Sequence, residues 1–533
     1  MSSADEALPS RLTSQTLESP PLAVNPWLIA VAVMLATFME VLDTSISAVS
    51  LPYIGGSLAA STDEATWVLT SYLVANAIVL PASGWFSLRF GRKRFLITCI
   101  IIFTTASFLC GAATSLPIIL IARALQGAGG GALQPMSQAI LLETFPPEKR
   151  GQAMAAFGFG VVVAPVIGPT LGGWITENYT WRWSFYINVP IGILAVILIM
   201  RYVTDPHYIR LAKPGKLDGI GLGLLAIWLG SLQVILDKGQ EDDWFGAMWI
   251  RWAALILVVA LVAFLIRELT HERPLTNLRV FKNRNFAAGC LVITLYGGII
   301  YAIVTILPLF FQTLLGYTAL SAGWAVSPRG LGAMSAMPVV ALLTARFDNR
   351  LLIATGFLGL GACTLWIGNA NLEIAETSLL WPIILSGFFI GFIFVPLATI
   401  TMGTLPNEQI GNAAGLYNLL RNVGGSVGIS MVNTLLARRE QVHQTELSHS
   451  LSPGTPLWQE SLKHLTALMS LHADPATAMK RAEDLLQSLL TQQAQLWSFI
   501  DDFRYLAVVC AICVPLTFLL QRVRTRPGHV MVE

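Results

Sequence analysis

Fourteen apolar runs of 18 to 27 residues limit what this chain can fold into. Their approximate bounds are 27–51, 66–88, 95–114, 117–141, 153–176, 184–203, 219–236, 249–267, 287–313, 321–345, 350–369, 378–400, 412–437 and 503–521. As a helix rising about 1.5 Å per residue, a run of this length crosses the ~30 Å hydrocarbon core of a bilayer. The runs do not alternate apolar and polar residues, as strands of a membrane barrel would. Helices remain as the structure that satisfies its own backbone in lipid. Charged residues make up 12% of the chain, where a soluble domain carries about 25%. The expected fold class is an all-α integral membrane protein with 14 transmembrane helices.

Lysine and arginine set the orientation. With the N-terminus in the cytoplasm, the inside segments hold 21 of the 33 basic residues. They include Arg89, Arg92, Lys93 and Arg94; Arg201, Arg210, Lys213 and Lys216; and Arg267, Arg273, Arg279, Lys282 and Arg284. The short outside loops hold only Arg182, Lys238 and Arg251, and three arginines, Arg123, Arg329 and Arg421, fall inside spans. An even number of spans returns the C-terminus to the cytoplasm. Trp27, Trp67, Trp181, Trp183, Trp244, Trp249, Trp381 and Trp497 lie near span ends, as in an aromatic belt.

The chain repeats itself. Leu88-Arg89-Phe90-Gly91-Arg92-Lys93 resembles Ala345-Arg346-Phe347-Asp348-Asn349-Arg350, and Glu148-Lys149-Arg150-Gly151-Gln152-Ala153 resembles Glu408-Gln409-Ile410-Gly411-Asn412-Ala413, at offsets of 257 and 260. Two matches nearly in register imply two six-helix halves of like orientation, related by an axis along the membrane normal. The expected organisation is a cytoplasmic tail 1–26, a first half 27–203, two accessory helices with cytoplasmic loops 204–286, a second half 287–521 and a cytoplasmic tail 522–533. Within the second half, 438–502 breaks the hydropathy pattern. Leu462, Leu465 and Leu468, then Ala482, Leu485, Leu486, Leu489 and Leu490, recur at helical spacing, and Asp474-Pro475 is a helix start. An amphipathic hairpin on the outer side is expected, its second helix running into the last span, as a surface cap or as a docking surface for another protein. The six cysteines, Cys99, Cys110, Cys290, Cys363, Cys510 and Cys513, lie in apolar runs and read as packing residues, with no metal site expected.

Two carboxylates sit deep in the first run. Glu40 and Asp43 are three residues apart, so a helix places them on nearly one face. No other carboxylate lies so deep in a span, and all seven histidines fall outside the spans. An ionised carboxylate in hydrocarbon is costly and is functional by default. Either residue suits proton carriage, Glu40 equally suits contact with a cationic substrate, and a permanently ion-paired structural Asp43 is the alternative.

Further patterns carry chemistry. The fourth run contains Arg123-Ala124-Leu125-Gln126-Gly127-Ala128-Gly129. The fifth contains Gly160, Ala164, Pro165, Gly168, Pro169, Gly172 and Gly173. Gly160, Gly168 and Gly172 give a smooth face for close helix packing, while Pro165 and Pro169 free carbonyls and bend the helix. Between the second and third runs stands Gly84-Trp85-Phe86-Ser87-Leu88-Arg89-Phe90-Gly91-Arg92-Lys93-Arg94, and before the sixth Trp181-Arg182-Trp183-Ser184-Phe185-Tyr186-Ile187-Asn188-Val189-Pro190.

On these residues the chain resembles the major facilitator superfamily, in its fourteen-span drug:proton antiporter branch of EmrB/QacA type, from about Trp27 to Gln521. The resemblance implies twelve core helices in two halves around a central cavity, plus two accessory helices. Asp43-Thr44-Ser45-Ile46 through Leu51-Pro52 is similar to the family's first-span motif, whose Asp is associated with proton coupling. Arg123 matches the arginine of the fourth-span motif, implicated in proton transfer. The glycine and proline pattern of 160–173 matches the fifth-span antiporter motif, which marks exporters. In the loop motif the acidic position is Leu88, so an acidic latch from that position is missing. Gly84, Arg89, Gly91 and Arg92 are the gating-loop candidates, and contact with anionic lipid or fixing of topology are other roles for the two arginines. By residue count Asp43 and Arg123 lie at similar depth, so they can pair. Protonating Asp43 would then leave Arg123 in need of another acceptor and so trigger domain movement, with a static ion pair as the alternative. Arg329 and Arg421 suit an anionic substrate or a helix C-terminus. With Glu40 and Gln126 they are the substrate-binding candidates.

The expected function is proton-coupled efflux of amphipathic toxic compounds by alternating access. No GxxxxGK[ST] loop is present, so the proton gradient supplies the energy and no cofactor is expected. The resemblance implies a bacterial inner-membrane protein with a periplasmic adaptor and an outer-membrane channel as partners. No nucleic-acid partner is expected, and no enzyme, since no nucleophile–base pair or metal-ligand cluster falls within the spans. A proton-coupled uptake symporter for a small metabolite and a non-transporting receptor or scaffold are the alternatives.

Overall fold

The computed structural model describes residues 25–532, apart from 207–208, 210–217, 272–273, 345, 370, 372–373, 375, 451–454, 472–473, 522 and 527–528. Residues 1–24 of the expected N-terminal tail lie outside the described residues, as do Arg210, Lys213, Lys216 and Arg273 of the orientation argument.

Helices dominate, and their starts follow local chemistry. Helix α1 (Pro26–Ser57) begins where the Asn25 side chain accepts the Trp27 N–H at 3.0 Å and Pro26 takes the first position. Helix α2 (Thr62–Phe90) opens on a capping box between Ser61 and Glu64 and stops at Gly91, whose φ is +84°. The first half continues with α3 (Arg92–Ala112), α4 (Leu116–Gly130), α5 (Leu133–Thr144), α6 (Arg150–Asn178), α7 (Trp183–Tyr186) and α8 (Asn188–Tyr202). The accessory pair is α9 (Gly219–Lys238) and α10 (Met248–Thr270). The second half comprises α11 (Arg284–Thr313), α12 (Ala319–Val326), α13 (Pro328–Leu343), α14 (Asn349–Ile367), α15 (Glu376–Met402), α16 (Asn407–Ser450), α17 (Pro456–Met469) and α18 (Pro475–Thr517). In the expected C-terminal tail, strands Val523–Arg526 and His529–Val532 pair antiparallel.

Among the described residues, twelve helical segments are long and apolar enough to cross a membrane. The predicted spans 412–437 and 503–521 fall on α16 and α18, which run on as 44- and 43-residue helices through polar sequence. The second hairpin helix does continue into the last span: Asp474 accepts the Thr477 N–H at 3.1 Å and α18 proceeds without a break to Thr517. Two predicted spans are interrupted. The fourth breaks between Gly130 and Leu133, after a run of three glycines, and the tenth breaks at Ser327, ahead of Pro328. Proline cannot supply the N–H that would continue the helix.

The two halves are built alike. Helix α1 packs on α6 and α2 on α4 in the first, α11 on α16 and α13 on α15 in the second. They meet where α2, α5 and α6 face α16, α12, α13 and α15. At that contact Phe157 stacks on Phe394 with centroids 6.1 Å apart, and Asn418 Nδ2 donates to Gln138 Oε1 at 2.7 Å. The accessory helices pack on each other, and α9 leans on both α2 and α16. Most of α10 turns apolar side chains outward, among them Leu255, Val258, Val259 and Val262, which is the face a helix offers to lipid. Asp218 ties the pair together at its base. It accepts the Gly221 N–H at 3.0 Å and a bidentate fork from Arg267. Burial alone would raise the Asp218 carboxyl, but these donors hold it below its usual value.

Candidate functional site

Asp43 and Glu40 occupy one face of α1, as their spacing requires, yet they meet different partners. Asp43 is fully buried, and its Oδ2 accepts from Arg123 Nη1 at 2.7 Å. Its Oδ1 accepts from Gln126 Nε2 at 2.8 Å and from Asn188 Nδ2 at 2.6 Å. Arg123, also fully buried, donates through Nε to the Val68 carbonyl at 3.0 Å and through Nη1 to Gln126 Oε1 at 2.8 Å. Its guanidinium lies 4.4 Å over the Tyr72 ring and 5.6 Å from that of Phe185. Charge, hydrogen bonds and aromatic faces together answer most of the two buried ions, leaving only Arg123 Nη2 of the pair without a hydrogen-bond partner among the described residues.

Among the described residues Glu40 has no cation in contact. Its Oε1 accepts from Tyr72 Oη and Asn76 Nδ2, each at 3.2 Å, and its Oε2 from Gln134 Nε2 at 2.6 Å. The other end of Gln134 accepts from Arg421 Nη2, on α16 of the second half. A polar thread therefore runs from Glu40 across the contact between halves. The glycines of the fourth run make room for it. A Cβ on Gly127 would lie 2.2 Å from the Tyr72 carbonyl oxygen, and one on Gly130 would lie 2.7 Å from the Tyr72 hydroxyl.

The antiporter pattern on α6 faces α1 just beyond Asp43. Pro169 has no N–H, so the carbonyl of Pro165, four residues earlier, lacks its helical partner. Ser45 Oγ donates to that carbonyl at 3.2 Å. A Cβ on Gly168 would meet Ser45 Oγ at 2.3 Å, and one on Gly172 would meet Ile46 at 3.3 Å. Gly160 is different: its nearest neighbours, Met34 and Phe38, would be at 3.9 Å, an ordinary contact. Gly173 points away, toward Leu320 of α12 at 3.5 Å. The smooth face is thus the 168–172 stretch rather than all three spaced glycines.

The loop motif is not without acids, although Leu88 supplies none. Arg92 is buried and pairs with Glu143 of α5. Asp205, following α8, accepts the Lys93 N–H at 2.8 Å and sits so close to Gly91 that a Cβ there would meet its carboxylate at 2.8 Å. A role for Arg92 at the lipid headgroups does not fit this interior position, whereas Arg89 is exposed. Gly84 abuts the backbone of Asn412 in the second half, where a Cβ would come within 3.1 Å.

Sequence reasoning did not single out Tyr72, Asn76, Gln134 or Ser107, and it quoted Asn188 without a role. Asn188 also donates to Ser107 Oγ at 3.0 Å, and Ser107 donates to the Phe185 carbonyl at 2.9 Å, so 181–190 is the segment that seats the far side of the Asp43 site. The signal for Asn188 and Gln134 was an amide inside an apolar run. Arg329 is buried in α13 apart from both carboxylates, and Arg421 meets Gln134, so neither sits on a helix C-terminus.

A two-bundle helical membrane protein with a buried carboxylate–guanidinium site beside the contact between bundles is a transporter in form. The Major Facilitator Superfamily model matches residues 33–429, and the chain belongs to that superfamily, in its EmrB-like multidrug-exporter family. It is 39% identical over 435 residues to the multidrug export protein EmrB of Haemophilus influenzae, covering 81% of this chain and 84% of that one. It is 34% identical over 505 residues to the fatty acid resistance protein FarB of Neisseria gonorrhoeae, covering 94% and 98%. Among solved structures, the human organic anion transporter MFSD10 (TETRAN) superposes with a TM-score of 0.58 at 14% identity, over 92% of this chain and 99% of that one. That last likeness concerns the fold alone.

Proposed function

We propose that this chain is a proton-coupled exporter of amphipathic compounds working by alternating access in a bacterial inner membrane, with both termini in the cytoplasm. The supporting observation is the Asp43–Arg123 pair, two fully buried ions that answer each other at 2.7 Å. A proton arriving on Asp43 removes the charge that Arg123 faces. Arg123 keeps the Val68 carbonyl and Gln126 but loses its only carboxylate among the described residues. It must then move or find another acceptor, and α1 moves with it. Ser45, two residues along α1, passes that motion to α6, which touches α12 and α13 of the other half. In this reading 27–203 and 287–521 are the moving halves and 204–286 an accessory pair. Gly84, Gly91 and Arg92 gate the cytoplasmic side, and Glu40 and Gln126 border the substrate path.

EmrB and FarB, by their names, export drugs and confer fatty-acid resistance, and the proposed substrates are amphipathic toxic compounds of that breadth. The hairpin exposes Leu468, Leu471, Met479 and Leu489 on the proposed periplasmic side. It is the proposed contact for an adaptor and, through it, an outer-membrane channel. Crosslinkers placed within 455–500 test that partner.

The function itself is tested in liposomes with an imposed pH gradient and an internal pH dye. Cationic, neutral and anionic amphiphiles are added to the wild type and to Asp43→Asn. Substrate-driven proton movement that the variant loses is the expected result. Proton movement that survives in Asp43→Asn would overturn the role of Asp43, and accumulation of substrate down the proton gradient would favour uptake.

A further inference from the structure

Arg329 is a buried cation that the proton-coupling site leaves unused. It is the second residue of α13, 2% exposed, and none of its three guanidinium nitrogens has a hydrogen-bond partner among the described residues. The internal repeat explains what is unusual about it. Arg329 follows Tyr72 by 257 residues and Gly387 follows Gly127 by 260, the offsets of the two loop matches. A Cβ on Gly127 would lie 2.2 Å from the Tyr72 carbonyl oxygen, and one on Gly387 would lie 1.9 Å from that of Arg329. The α13–α15 crossing therefore repeats the α2–α4 crossing, with arginine in place of tyrosine.

In the first half the Tyr72 hydroxyl meets a carboxylate, Glu40 of α1. Its equivalent helix, α11, has no Asp or Glu. Nor do α12, α13 and α14, and α15 has only Glu376 at its first residue. These five helices thus set a cation where the first half sets a phenol, and among the described residues no carboxylate hydrogen-bonds to it; the buried Asp502 of α18 does not meet it either. A buried charge without a partner is costly, so a partner from outside the chain is the economical solution. Arg421 adds a second cation. It is 4% exposed, its Nε has no hydrogen-bond partner among the described residues, and its Nη2 bonds to the neutral amides of Gln134 and Asn422. Tyr296 lies within electrostatic reach of both arginines, and its ring is 6.3 Å from that of Phe394, which stacks on Phe157 of the other half.

We propose that Arg329 forms an anion subsite that takes the acidic head of an amphiphilic carboxylate, whose apolar body lies along Phe394 and Phe157. The proposal rests on the export reading and narrows its substrates to anionic amphiphiles.

The test is equilibrium binding without any gradient, in nanodiscs of zwitterionic lipid at neutral pH, with decanoate, decanol and decyltrimethylammonium as probes. Wild type is expected to bind decanoate more tightly than decanol by roughly tenfold or more, the worth of one charge-assisted hydrogen bond. Arg329→Gln is expected to lose that preference while binding decanol as before, and Arg329→Lys to keep part of it. Because the variant removes an unanswered charge, its melting temperature should hold or rise. An arginine that only braces the fold would give a lower one. Equal decanoate binding in wild type and Arg329→Gln, or tighter binding of the cation, overturns the proposal. So does loss of decanoate binding in nanodiscs of phosphatidylglycerol, which would make the occupant a lipid headgroup. Charge-selective binding with no proton-linked flux would sink the export reading alone, and proton-linked flux with no charge selectivity would sink the anion subsite alone.

Discussion

Asp43 and Glu40 stand three residues apart on one helix and face different chemistry, one an arginine and the other three neutral donors. Asp43→Asn strands Arg123 in a dry interior, and the expected loss of stability is about 3–5 kcal/mol. Asp43→Asn combined with Arg123→Gln should recover part of that loss. Thermal unfolding of the two single variants and the double in detergent measures the coupling, and strictly additive losses would show that the pair does not act as a unit. Asn188→Ala removes the 2.6 Å donor to Asp43 and is expected to cost about 1–3 kcal/mol and to weaken proton-linked transport. Wild-type coupling in that variant would confine Asn188 to packing. The charged half of the site was legible in the sequence because intramembrane charge is rare, which isolated Asp43, Glu40 and Arg123. Its neutral shell was not. Asn76, Gln134 and Ser107 are single uncharged polar residues in apolar runs. So is Thr37, which donates to its own helix at 3.4 Å. Sequence alone does not separate a side chain turned back on its helix from one turned toward a carboxylate.

At the scale of elements, α6 is the piece whose pattern and geometry can be set against each other. The spacing of its glycines showed that some face packs closely, but a repeat of four and eight residues fits more than one face. The tight stretch is Gly168 and Gly172 against Ser45 and Ile46, while Gly160 has room. Gly168→Ala must therefore push α1 and α6 apart, at a cost of about 1–3 kcal/mol, and should slow transport. Gly160→Ala should match wild type in both melting temperature and flux. Equal effects of the two substitutions would remove the contact with Ser45 from the explanation. Pro169→Ala offers an N–H to the Pro165 carbonyl that Ser45 now occupies. The broken fourth and tenth spans were illegible for a related reason. Hydropathy reports that a segment is apolar, and it does not register where a glycine run or a proline interrupts the backbone ladder.

At the scale of the whole molecule, the proposed alternating access requires two halves of like build both to close on each other and to come apart. Polar threads cross between them at defined places. Glu40 reaches Arg421 through Gln134, and Asn418 reaches Gln138 directly. The accessory helix α9 spans the same boundary from outside. Thr70 of α2 donates to Asp237, Gln233 donates to Asp237 at 3.2 Å, and Ser426 of α16 donates to Gln233 at 2.9 Å. Two halves were legible from the loop repeat, because loops keep their offset. The crossing threads were not, since each joins residues more than 90 apart that no local pattern links. Gln134→Ala cuts the central thread while leaving the Asp43–Arg123 pair whole. Losing a hydrogen bond to a charged partner should shift the balance toward separated halves by roughly tenfold. Met337, buried against Gly158 of the first half, is a place to read that shift, since Met337→Cys reacts with a water-soluble maleimide only when the halves part. All six native cysteines are buried and free, which keeps the background low. Faster labelling of Met337→Cys in the Gln134→Ala background is the expected outcome. An unchanged rate would mean that the thread from Glu40 to Arg421 follows the motion of the halves without holding them together.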